Sequence, residues 1–258
     1  MPSFLRRVRP LLLSAMLSAA ALAPAGAQTA FTPDQRTAIE GIIKDYLLKN
    51  PEVLQEAIGE LEKRQADAQR KAQADALAEV RDEVVSAKHG VVVGNPQGDT
   101  TLVEFFDYNC GYCKRALSDL RGLMKADPKL RVVLRDLPVL GPDSVEASKI
   151  AIAAKAQLSG EKAFEYHSRL LESRGRVGGE QALALAKSMG LDMPRLQRDL
   201  ENAEIRATVA ANMRLAERLG MTGTPAYVVG NEVISGAVGI EPLRQAIETA
   251  RKCGNANC

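Results

Sequence analysis

Two cysteines separated by two residues, Cys110-Gly111-Tyr112-Cys113, are the residues of this chain best suited to chemistry. They follow the apolar run Thr101-Leu-Val-Glu-Phe-Phe106 and open a stretch, Cys110 to Met124, whose apolar residues recur at helical spacing. That places the pair at a strand-to-helix junction. The reactive species in disulfide exchange is a thiolate, and a helix N-terminus favours negative charge on the first sulfur. The second cysteine lies one turn further on the same face, within reach to form or resolve a disulfide. Gly111 leaves the turn without a side chain that would shield the sulfur. A structural bridge would close too short a loop to constrain the unfolded chain much. A zinc site would want a second close pair, and Cys253 and Cys258 have different spacing and lie far away in sequence.

Glu104 is the other conspicuous residue, because it interrupts an otherwise apolar strand six positions before Cys110. A buried carboxylate needs a partner or a raised pKa. The histidines are His89 and His167. His89 is expected to complement a helix end, and His167 to be ordinary surface or packing.

The elements that must position these groups begin after a leader. Arg6, Arg7 and Arg9 precede the apolar run Leu11–Ala23, and Ala25-Gly26-Ala27 is a small-residue cleavage site, so residues 1–27 read as a signal peptide. Without them the chain has 231 residues with 31 basic and 32 acidic side chains, a net charge of −1. A near-neutral chain without a basic run offers no footprint for nucleic acid. An exported protein with four cysteines fits an oxidising compartment, and a periplasmic location is expected. Residues 32–50 read as a helix capped by Thr32, and a longer helical pattern runs from about Glu52 to Ala87, with Gly90 suited to its C-terminal cap. At 1.5 Å per residue the longer helix would span roughly 50 Å. Ile42, Ile43, Leu47, Leu54, Ile58 and Leu61 would be hard to bury within one chain, which points to a helical oligomerisation region over 28–90.

From Val91 onward the order is β-α-β, a helical insertion over about 142–220, then β-β-α to Arg251: an α/β fold with a central sheet. Phe-Phe-Asp-Tyr-Asn-Cys-Gly-Tyr-Cys at 105–113, with Thr222-Gly-Thr-Pro-Ala226, resembles the DsbA-like branch of the thioredoxin superfamily, over roughly Val91 to Lys252. The resemblance implies a thioredoxin-like fold and a cis-proline at Pro225, preceded by Thr224, facing the two sulfurs. It implies that Gly111, Tyr112, Thr224 and Pro225 contact an extended substrate segment. It also assigns Glu104 to help remove the proton from Cys113. No cofactor is implied. Gly-Tyr stands where strongly oxidising DsbA proteins have Pro-His, so the site is expected to be less oxidising. Cys-Gly-Tyr-Cys with Thr before the cis-proline resembles bacterial periplasmic disulfide isomerases.

The stretch from Phe31 to Leu54 resembles the leader region of the suppressor-of-copper-sensitivity C proteins, which combine a DsbA-like domain with an oligomerising helical region, in some cases trimeric. These resemblances imply a disulfide isomerase acting on misfolded or reduced secreted proteins, as a homo-oligomer with a membrane thiol-redox partner. A dithiol oxidase is the enzymatic alternative. A copper-binding protein holding Cu(I) on the two thiolates is the alternative from another class, although no Met/His/Cys cluster accompanies the pair and no metal site is expected. Cys253 and Cys258 are expected to form a small structural disulfide.

Overall fold

The computed structural model describes residues 31–253, so the expected signal peptide and Cys258 lie outside the described residues. Two compact units are present, one ending at Leu61 and one running from Glu62 to Cys258.

The first unit contains helix α1, Pro33–Lys49, and the beginning of α2, Glu52–Val85. Thr32 caps α1 in a reciprocal box with Gln35: each side chain bonds the other's backbone N–H, at 3.3 and 2.9 Å. No residue of α1 is buried. Ile42, Ile43, Tyr46 and Leu48 are exposed on it, as are Leu54, Ile58 and Leu61 on the start of α2.

The second unit is built on five strands: β1 (Val91–Gly94), β2 (Thr100–Phe106), β3 (Leu130–Asp136), β4 (Ala226–Val229) and β5 (Glu232–Ser235). Their spatial order is β1-β3-β2-β4-β5, with β2 and β3 parallel and every other pair antiparallel. Helix α3, Gly111–Ala126, joins the two parallel strands. The insertion after β3 comprises α4 (Pro142–Ala154), a 3-10 turn, α5 (Gly160–Leu171), α6 (Gly179–Ser188), α7 (Met193–Leu200) and α8 (Ala203–Arg218). Helix α9, Ile240–Cys253, follows β5. The expected α/β thioredoxin-like sheet with a helical insertion is present.

The central strand β2 is buried on both faces, which is why its sequence reads as a nearly continuous apolar run. Leu102 and Phe106 belong to a core cluster with Cys113, Leu117 and Leu120 of α3 and Leu243 and Ile247 of α9. Val103 and Phe105 belong to a second cluster on the opposite face, with Leu77, Val80 and Val84 of α2 and Leu215 and Ala216 of α8.

That second cluster moves a boundary. Residues 62–90, expected from the sequence to belong with the N-terminal helical region, fall in the second unit, and the end of α2 packs on the sheet through Leu77, Val80 and Val84, while residues 62–72 are exposed. The end of α2 is also fastened by Arg135 of β3, a fully buried guanidinium bonded to the carbonyls of Glu83, Val84 and Ser86 and to Asn212 Oδ1. Gly90 is not the expected left-handed cap, since α2 ends at Val85 and Gly90 does not take a positive φ. It lies against β3 instead, where a Cβ would fall 2.6 Å from Val133 Cγ1.

Candidate active site

Cys110 is the N-cap of α3, and its Sγ accepts a 3.4 Å hydrogen bond from the backbone N–H of Cys113. A cysteine here does what Ser, Thr or Asp does at most helix starts, placing a polarisable acceptor on the unpaired amides. The same sulfur lies 3.0 Å from the carbonyl oxygen of Thr224. The Thr224–Pro225 peptide is cis. The chain turns that bring 110 and 224 together follow from the sheet, because β2 and β4 are antiparallel neighbours whose ends meet there.

Both cysteines are free thiols and both are buried, Cys110 at 5% exposure and Cys113 at 0%. Their environments nevertheless separate them. Hydrogen bonding from Cys113, with further help from Thr224 and the amides of Cys113 and Tyr112, outweighs burial and pulls Cys110 down to about 5. Burial first, then the hydrogen bond to Cys110, pushes the Cys113 thiol far above the ordinary range. One sulfur is therefore a thiolate near neutral pH and the other a thiol.

Glu104 is 2% exposed, and its Oε2 has no hydrogen-bond partner. Burial, then the Cys110 charge, raises its carboxyl to about 8. Its charge in turn contributes to raising Cys113. Tyr227 stands opposite Glu104 in the β2–β4 register, with a phenol that burial pushes well up. The pair is a same-face cross-strand neighbour pair.

Tyr112, which is 61% exposed, lines a shallow groove with Thr222, Gly223, Thr224, Pro225, Ser235, Gly236 and Ala237. The Arg115 guanidinium lies 4.3 Å above the Tyr112 ring. The structure thus brings Cys110, Gly111, Tyr112, Cys113, Thr224 and Pro225 to one place, with Glu104 in the strand behind them.

A family model for the DsbA-like thioredoxin domain matches residues 101–248. The chain belongs to the DsbA-like thioredoxin family. Residues 35–68 match the N-terminal domain of the copper resistance protein ScsC. A thioredoxin-like oxidoreductase from Silicibacter pomeroyi DSS-3 is 42% identical, covering 67% of this chain and 98% of its own, with a TM-score of 0.63. Proteus mirabilis ScsC in a transitional conformation is 27% identical, covering 86% of this chain and 99% of its own, also at 0.63. Among curated proteins, a Na(+)/H(+) antiporter NhaA 1 from Salinispora arenicola is 28% identical over 160 residues, 62% of this chain. The chain spans only about a quarter of that relative's length. Among the described residues, no helix is long and apolar enough to cross a membrane.

Other residues of this DsbA-like site are not found by inspecting the CxxC pair. Asp107 is fully buried and accepts from Asn109 N–H, Ser144 Oγ–H and the Leu140 N–H. Asn109 bonds Ser144 Oγ and the backbone of Val177. The Asp107–Asn109 link is an Asx turn, a signal the sequence Asp-Tyr-Asn does carry. Ser144 and Val177 lie in the insertion and carry no local signal.

The histidines are remote from the sulfurs in function. His167 is 3% exposed and packs on the rings of Phe106, Tyr108 and Phe164, with burial pushing it down to about 3. His89 pairs its Nδ1 with Thr208 Oγ1 at 3.0 Å and lies 3.9 Å from Glu204 Oε1, and burial, the largest influence, lowers its pKa. Cys253 is disulfide-bonded.

Proposed function

We propose that this DsbA-like oxidoreductase is a periplasmic protein disulfide isomerase in which Cys110 is the nucleophile. The observation that carries the reading is the position of Cys110 Sγ between the Cys113 amide and the Thr224 carbonyl, at the start of α3. The Cys110 thiolate attacks one sulfur of a substrate disulfide. A Cys110–substrate disulfide forms, the substrate S–S bond breaks, and the second substrate sulfur leaves as a thiolate. That thiolate can attack a different disulfide of the substrate and free another thiolate, which attacks the substrate sulfur of the mixed disulfide, forming a new substrate bond and releasing the Cys110 thiolate. Alternatively Cys113 gives up its proton, with Glu104 as acceptor, and attacks the Cys110 sulfur, releasing reduced substrate and closing the Cys110–Cys113 bond. A membrane thiol-redox partner then restores the dithiol. The groove beside Tyr112, Thr224 and Pro225 holds the extended substrate segment, whose backbone can pair beside Thr224.

Isomerase rather than oxidase is supported by Gly111-Tyr112 between the cysteines and by the exposed apolar residues of the first unit. Ile42 and Leu48 are 70% and 72% exposed in the single chain. Helices of this composition bury such residues against copies of themselves, and a trimer is the assembly proposed. Several reduced sites in one assembly raise the effective thiol concentration around one misfolded chain. The C-terminal pair Cys253–Cys258 is assigned a structural role.

The test compares Cys110→Ser and Cys113→Ser. Cys110→Ser should abolish exchange with a scrambled multi-disulfide substrate, while Cys113→Ser accumulates substrate-linked protein on non-reducing gels. Alkylation of Cys113 before Cys110 in the reduced protein would overturn the assignment.

A further inference from the structure

Asn109, the residue immediately before the nucleophile, uses its whole carboxamide on the insertion. Its Oδ1 accepts from Val177 N–H at 2.7 Å, and its Nδ2 donates to Val177 O at 2.8 Å and to Ser144 Oγ at 3.0 Å. The side chain pairs with Val177 as one peptide group pairs with another across a ladder, so both of its planar edges are fixed. Its own N–H is held by Asp107 Oδ1 at 2.8 Å, and Cys110 N–H by Asp107 O at 3.0 Å. The Asp107 carboxylate is in turn shared with Ser144 Oγ at 2.7 Å and Leu140 N–H at 2.9 Å.

The same loop of the insertion reaches α3 beyond the cysteines. Lys114 Nζ donates to Ser173 O at 3.0 Å and Gly175 O at 3.3 Å, and Arg121 pairs with Glu172. Residues 172–177 therefore grip the active-site turn on both sides of Cys110. The exposed ionic contact of Arg121 contributes little, whereas the Asn109 bonds are part-buried and two-ended.

We propose that Asn109 is a positioning residue for thiol exchange, locking the turn before Cys110 to Val177 and Ser144 so that the Cys110 sulfur stays on the first amides of α3. The proposal rests on Cys110 being the reactive thiol and adds that the helical insertion, through Asn109, sets how reactive that thiol is. A sulfur held on those amides is stabilised as thiolate, and a turn free to shift loses that alignment. The exchange itself is unchanged: Asn109 neither gains nor loses a proton or an electron.

The experiment follows iodoacetamide labelling of the reduced, full-length protein from pH 3 to 9, with mass mapping of the labelled cysteine. In the natural protein the Cys110 midpoint is expected near 5. Asn109→Ala should move it upward by about one pH unit, a roughly fivefold loss of thiolate at pH 5. Ser144→Ala, which removes one partner each from Asn109 and Asp107, should move it the same way by about threefold in thiolate. Leu196→Ala, a buried core change in the insertion that removes none of these hydrogen bonds, controls for general loosening and should leave the midpoint in place. If Asn109→Ala does not fold, Ser144→Ala alone decides. An unmoved midpoint in the folded clamp variants, or an equal movement in Leu196→Ala, overturns the proposal. Absence of any acidic Cys110 midpoint in the natural protein would instead overturn the choice of Cys110 as nucleophile.

Discussion

Replacing Glu104 by Gln should make the reduced protein more stable, and increasingly so as pH rises. Glu104 is buried without a partner on Oε2, and its carboxyl is raised from 4.5 to about 8. Between those two values the folded state holds a proton that the unfolded state has lost. The unfolded chain then binds fewer protons, so the contribution of this group to stability falls as pH climbs through that window. It is fully present below 4.5 and gone above about 8. At about 1.4 kcal/mol per pH unit the full loss is roughly 5 kcal/mol. Water entry and relaxation around the ionised group should reduce it to about 2–3 kcal/mol. Gln fills the same volume, never ionises, and escapes the loss. Urea unfolding of both proteins at pH 5, 7 and 9 measures it. The two should nearly coincide at pH 5 and separate by about 2–3 kcal/mol in favour of Gln at pH 9. Other titrating groups, Asp136 among them, are common to both proteins and cancel in the difference. A difference that does not change with pH would refute the reasoning, because it would mean Glu104 is not a buried, displaced carboxyl. With Glu104 accepting the Cys113 proton, the same variant should also slow closure of the Cys110–Cys113 bond by on the order of a hundredfold.

The poise of the site should lie between about −270 and −120 mV in glutathione equilibration, because a Cys110 thiol at about 5 falls between the reference thiols of those two potentials. A value at the oxidising extreme would favour the oxidase reading. A chain beginning at Glu62 should be a folded monomer by light scattering that exchanges thiols but loses most refolding activity on a scrambled substrate; retention of full isomerase activity would sink the oligomer argument. A chain beginning at Gly90 should not fold stably, since it lacks Leu77, Val80 and Val84, each contributing about 1.5–3 kcal/mol by burial.

Local pattern carried the strands, the insertion and the reactive pair. Each strand of the sheet is a short apolar or β-branched run between turn residues, and Cys110 stands where one such run meets a helix start. Glu104 was visible as a charge among apolar neighbours. What the sequence did not disclose depends on partners distant along the chain. The stripe Leu77, Val80, Val84 looks the same whether it packs on a sheet or on another helix, so the second half of α2 read as part of the N-terminal region. Arg135 lies among apolar residues in β3, yet four hydrogen bonds tie it to the end of α2 and to Asn212, which no local pattern reveals. His89 sits close to a helix end in sequence, but its hydrogen-bond partner Thr208 lies over a hundred residues later.

The ordering of the two cysteines cannot rest on exposure, since both are buried; it rests on where the charge sits. In the reduced site Cys110 carries it, and that charge contributes to raising both Glu104 and Cys113. Under the proposed exchange, attack on a substrate converts the thiolate into a neutral disulfide sulfur. The raising influence on Glu104 and Cys113 then disappears, leaving burial as the main one. Glu104 becomes more readily ionised and able to accept a proton, and Cys113 becomes easier to deprotonate, at the moment a resolving thiolate is wanted. Before capture the same charge holds Cys113 protonated and silent. The second step is therefore gated by completion of the first, and a mixed disulfide that finds its own rearrangement sooner than Cys113 loses its proton leaves as an isomerised product rather than a reduced one.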